Sequence, residues 1–211
     1  MQALEKITYS NNWITIVLLL LFLSIVFLKI LDAKKLKESF FAFFNFIEDD
    51  DTEVTPFFNG FQRIIFLFSI SVLSLLGYYF KLYKYPSVTE SFTTYFSIFL
   101  VFFCYFFVKR ILEFLLIRLF LIEKAVRTFL FSKNNYLYSV SFLIYIGLIL
   151  ITYTQIPINY VFYFSAFLFL LRFVFYVVRN KKLVFNKLFY FILYICAFEI
   201  ATLFILFKLL F

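Results

Sequence analysis

Along this chain, long apolar runs alternate with short polar or charged stretches. Six runs stand out, at about residues 13–31, 61–80, 92–108, 136–153, 160–178 and 188–210. Each holds about 17–23 residues, which suits a hydrocarbon core of about 30 Å at about 1.5 Å of rise per helical residue. They are therefore expected to be transmembrane helices. Pro56, Pro86 and Pro157 all fall between runs. The spans should then be continuous, without the interrupted helices on which many transporter sites are built. The first run is too long for a cleavable signal and leads into the basic stretch Ala33-Lys34-Lys35-Leu36-Lys37, so it is expected to stay.

Two further stretches are apolar on one face only. Leu36, Phe40, Phe43, Phe44 and Ile47 recur at helical spacing, ahead of the acidic run Glu48-Asp49-Asp50-Asp51-Thr52-Glu53. This pattern predicts an interfacial helix at about 34–47. Over 111–131, Glu113, Glu123, Lys124 and Arg127 gather with Lys109 on one helical face. An amphipathic helix is expected there, either lying at the cytoplasmic interface or extending the third span beyond it. The expected fold is an all-α membrane protein: a six-helix transmembrane bundle with two cytoplasmic interfacial amphipathic helices, forming a single integral membrane domain over 1–211.

Composition agrees. The 211 residues are 65% hydrophobic and only 15% charged, with a mean hydropathy of +0.99. A soluble domain is roughly half apolar and about a quarter charged. A disordered chain, a coiled coil and an ordinary soluble domain are excluded. There are 38 Phe and 16 Tyr but only 3 Gly. Membrane helices usually approach through small residues, so packing is expected to run through large aromatic side chains instead.

The net charge of +8 is read as topology rather than nucleic-acid binding. With six spans, sixteen of the 20 basic residues fall on the side holding the first, third and fifth connections; Lys6, Lys81, Lys84 and Lys208 fall on the other. Positive loops stay inside. Both termini are then expected in the periplasm, with the protein in the bacterial inner membrane.

Histidine is absent, which removes imidazole bases, most zinc sites and haem ligation through His. Cys104 and Cys196 lie in apolar runs and are expected to be small buried hydrophobes. No glycine-rich phosphate loop and no pair of intramembrane aspartates occurs. No enzyme activity, cofactor or metal is expected. The acidic run lacks the alternating ligands and glycine of a calcium loop and is read as a solvated connection.

Three residues remain as candidates for function. Glu199 sits in Phe198-Glu199-Ile200, about 18 Å from the cytoplasmic end of the last run and so near the midplane. An ionised carboxylate is costly there. Glu199 is expected to be a proton or ion site, a polar anchor for a partner helix, or a protonated group bonded to a neighbouring hydroxyl. Arg172 lies nearer the cytoplasmic end of the fifth run, and either bridges toward Glu199 or snorkels to the surface. Arg118 points away from the charged face of 111–131, and either binds a carboxylate or lipid phosphate or reaches water. Ser69, Ser71 and Ser74 are read as packing contacts.

The stretch from Asn186 to Ile200, with Phe189-Tyr190-Phe191-Ile192-Leu193-Tyr194 and Glu199-Ile200, resembles the C-terminal signature of a family of bacterial polytopic membrane proteins known only as a domain of unknown function. Asn12-Trp13-Ile14-Thr15 is similar to the family's opening, and length and span order agree over nearly the whole chain. The resemblance implies an inner-membrane location in Gram-negative bacteria that often glide or secrete through a dedicated outer-membrane route, and it implies the Glu at position 199. Members commonly carry a proline soon after that Glu, where this chain has Thr202 and Leu203. No established activity comes with the family.

Two functions are therefore expected. One is a non-catalytic inner-membrane subunit or assembly factor of a cell-envelope complex, linked to protein export or envelope biogenesis. The other is a small transporter or channel using Glu199. The expected partners are membrane lipids and other membrane subunits, with no nucleic acid.

Overall fold

The computed structural model describes residues 12–41, 60–85, 91–119, 123–154, 157–179 and 208. They form six helices: α1 (Asn12–Leu31), α2 (Ala33–Phe41), α3 (Gly60–Lys84), α4 (Phe92–Leu119), α5 (Glu123–Tyr153) and α6 (Asn159–Arg179). Four of them are long and apolar enough to cross a membrane, over Trp13–Leu31, Gly60–Lys84, Phe92–Leu112 and Asn134–Tyr153. The described residues thus hold four candidate spans, not six. The expected fifth, 160–178, falls in α6 (Asn159–Arg179), which is not one of those four and whose side chains are described only as far as Leu171. Apart from Lys208, the expected sixth at 188–210 lies outside the described residues.

α3 is the centre of the bundle; α1, α4 and α5 all pack on it, and α6 packs on α5. α4 runs opposite to α3. Gly77 of α3 faces Ile98 and Phe102 of α4, whereas Phe66 faces Phe106. α5 runs parallel to α3, with Phe68 against Phe142 at 4.8 Å between ring centroids and the Tyr79 hydroxyl 3.1 Å from Thr152 Oγ1. Gly147 of α5 meets Val161 and Phe164 of α6.

The buried seam follows helical spacing. Ile65, Phe68, Val72 and Leu75 on α3 meet Leu137, Val140, Ile144 and Leu148 on α5, all within one core cluster. On α1 the inward residues are Ile14, Val17, Leu18, Leu21 and Leu28, while Ile16, Leu20, Phe22, Phe27 and Ile30 face out. Lipid tails are as apolar as leucine, so this sorting reflects close packing rather than escape from water.

Small residues do more of that packing than expected. The buried polar residues among those described are Ser39, Ser69, Ser74, Ser139, Ser141 and Ser165. Ser69 Oγ donates to the Ile65 carbonyl at 2.9 Å, Ser74 Oγ to Ile70 at 2.7 Å and Ser141 Oγ to Leu137 at 2.9 Å. Each hydroxyl is satisfied within its own helix, so serine serves as the small residue that a glycine-poor chain otherwise lacks.

Asp32 joins α1 to α2. Its N–H donates to the Leu28 carbonyl, ending α1, and its own carbonyl accepts from Leu36 N, both at 3.1 Å. Its Oδ1 accepts the Lys35 N–H at 3.0 Å, the capping bond of a helix N-terminus. From the interfacial helix expected at 34–47, α2 takes the first turns, and Leu36 and Phe40 pack on the core as their spacing implied. Ser139 Oγ of α5 donates to the Phe40 carbonyl at 2.7 Å, fixing α2 to the bundle.

The stretch 111–131 is not one helix, and its first part extends α4 to Leu119, as one of the two expectations had it. It is divided between the end of α4 and the start of α5. No Gly or Pro occurs between Pro86 and Gly147, so nothing stops either helix at the membrane boundary. α4 has 28 residues and α5 has 31, or about 42 and 46 Å.

Candidate functional site

Glu199 lies outside the described residues. Arg118 is the penultimate residue of α4, and Arg172 lies in the second half of α6. Their side chains are not among those described. The described residues therefore bring none of these three together. They show three other features instead.

The first is a column of rings on α4. Phe92, Phe96, Phe99, Phe103 and Phe107 stack in turn, with centroids 6.2, 6.3, 6.1 and 6.0 Å apart and planes within 26°. Steps of three and four residues keep them on one face over about 22 Å of helix. Phe92, Phe96 and Phe107 are about half exposed. Beside the column, Tyr95 and Ile98 are buried in the core, and the Tyr95 ring lies 6.0 Å from Phe92 and 6.4 Å from Phe99. Only 11% of the α4 window is buried, against 61% for α5. Cys104 is exposed beside the column, contrary to its expected burial, because an apolar run in a membrane protein has an outside that is as apolar as its inside.

The second feature closes the far end of the bundle. Trp13 packs edge-on against Tyr78 at 5.1 Å, and lies 5.6 Å from Tyr95 and 5.9 Å from Phe92. These rings tie α1, α3 and α4 together near Lys81 and Lys84. Trp and Tyr favour the membrane–water boundary, where a polar edge meets water.

The third is a basic elbow at the other end. Lys29, Lys34 and Lys37 are exposed around Asp32, while Lys35 Nζ pairs with Asp32 Oδ2 at 3.2 Å. The Lys35 N–H holds the Asp32 carboxyl below its ordinary value, against a smaller opposing effect of burial, and the Lys35 side chain adds to the lowering. Arg63 is exposed at the start of α3, and the Arg110 guanidinium lies 4.8 Å over the Phe66 ring. Among the described residues no three carboxylate or thiol groups gather where a metal ion could bind.

The column was detectable in the sequence as phenylalanine at steps of three and four. The elbow was visible as a basic stretch. The cross-helix contacts of Trp13, Tyr79 and Ser139 had no signal, since each joins residues far apart in the chain. The sequence model of a family described as "Domain of unknown function (DUF4271)" matches residues 14–210. No curated protein and no solved structure matches the chain.

Proposed function

The chain belongs to the DUF4271 family, and from that premise we propose that it is a non-catalytic integral membrane subunit or assembly factor of a cell-envelope complex. The Phe column of α4 carries this reading. It is a continuous apolar surface on the least buried of the four candidate spans among the described residues, and rigid aromatic faces suit a partner helix. The buried Ser69, Ser74 and Ser141 are satisfied by carbonyls of their own helices, which suits a packed scaffold better than a polar path. In this reading the protein sits in the bacterial inner membrane with its basic end in the cytoplasm. All of α6, continuing to Arg179, is the fifth crossing, residues 188–210 are the sixth, and both termini are periplasmic.

A photo-reactive residue placed at Phe96 or Phe103 in native membranes tests the proposal. Discrete protein adducts are expected at both sites, and none at Leu20, which is exposed on α1. Lipid adducts alone at all three would overturn it.

The transporter reading keeps one supporting observation, a carboxyl placed by sequence near mid-membrane at Glu199. If Glu199 anchors a partner or a bundle contact, Glu199→Gln should be mild, and Glu199→Leu should lower abundance or partner recovery by about 1–2 kcal/mol of lost hydrogen bonding. If it carries protons or cations, both substitutions abolish function at unchanged abundance.

A further inference from the structure

We propose that the α1–α2 elbow binds the headgroups of anionic phospholipids. The inference rests on the membrane placement of the four candidate spans, and not on the subunit reading. Lys29 lies in the last turn of α1, and Lys34 and Lys37 lie one turn apart on α2. All three are exposed. Lys35 is engaged by Asp32, so the remaining three face outward from a joint whose shape that ion pair and the cap hold. A cluster of lysines at the foot of a membrane helix, continued on an amphipathic helix, is the arrangement that attracts anionic lipid surfaces.

Two details narrow the ligand class. The cations are all lysines, compact point charges without the bidentate fork of arginine. They suit mobile phosphodiester headgroups rather than one rigidly held anion. The platform is also fixed. Leu36 and Phe40 pack on the core, Phe40 lies 5.4 Å from Phe142, and the Phe40 carbonyl is held by Ser139. The α2 N-terminus is already capped by Asp32, so the lysines and not helix N–H groups recognise the phosphate.

The test uses the full-length protein, extracted from vesicles of phosphatidylglycerol with phosphatidylethanolamine, and counts retained phosphatidylglycerol by mass spectrometry. Replacing Lys29, Lys34 and Lys37 together with Gln should lower retention by about tenfold. The same positions changed to Arg should keep it, which guards against a folding defect. The pair Lys81→Gln and Lys84→Gln at the opposite end should leave it unchanged. Free glycerol phosphate should not displace the lipid. Equal retention in the Gln triple variant, loss in the Arg variant, an equal loss in the opposite-end pair, or displacement by free glycerol phosphate would each overturn the proposal.

Discussion

Asp32 ends one helix and begins the next, so a single proton on it acts on both. Its carboxyl is held below the ordinary value of 3.8, chiefly by the Lys35 N–H. A carboxylate of this kind contributes stability that is complete above its unfolded value and fades as pH falls through its folded one. The elbow should therefore weaken in acid below its ordinary value of 3.8. Asp32→Asn keeps a capping oxygen but cannot titrate, so melting in detergent should lose part of its acid dependence. An unchanged pH slope would count against this role for Asp32. A second pair of substitutions separates hydrogen bonding from packing. The Tyr145 hydroxyl donates to the Leu18 carbonyl at 3.0 Å. Such intramembrane bonds are worth about 0.6 kcal/mol on average, so Tyr145→Phe should be mild. Leu148→Ala empties a fully buried site and should cost about 2 kcal/mol, the low end of the range for soluble cores. The low end applies because separated helices remain in apolar lipid. Reversible unfolding in mixed micelles should rank Leu148→Ala as the worse of the two.

At the scale of elements, the α3–α4 contact depends on Gly77. A Cβ there would meet the far edge of the Phe102 ring at 3.1 Å. That ring can give a little, so Gly77→Ala should be tolerated, with Tm shifted by a few degrees at most. Gly77→Val adds two more carbons toward Phe102 and Ile98 and should separate the helices, read as a larger Tm loss of about 4–8 °C. Equal effects of the two would remove the close approach as the cause. The continuity of α4 and α5 gives a second expectation. Cysteines at Glu113 and Arg127 should both label with a membrane-impermeant reagent from the basic side. Labelling from opposite sides would make this region a crossing. The apolar runs were legible because length and hydropathy report directly on bilayer thickness. The division of 111–131 was not, because no Gly or Pro occurs anywhere between Pro86 and Gly147 to mark a boundary. A charged face at helical spacing looks the same on a helix lying flat as on two helices standing up.

For the whole molecule, the gathering of basic residues at one end was the most legible property, since it needs only the order of the helices. The elbow, Arg63, Lys109 and Arg110 share one end of the bundle, while Lys81 and Lys84 lie at the other. A periplasm-active reporter inserted after Lys84 should be active, and one inserted after Leu119 should be silent. The reverse pattern would invert the orientation. The candidate site was legible only in part. Glu199 and the basic elbow stood out by charge, whereas the steps of three and four that form the Phe column are hard to single out among 38 phenylalanines, each ordinary for a membrane helix. One contact also sets a clock. The seat of α2 is Ser139, 99 residues downstream of Phe40. At a synthesis rate of about 5–20 residues per second, α2 exists for about 5–20 s before its seat has been made. Throughout that interval the capped joint at Asp32 and the packing of α2 on α1 hold it in place, so variants that disturb either should be cleared during synthesis rather than after it.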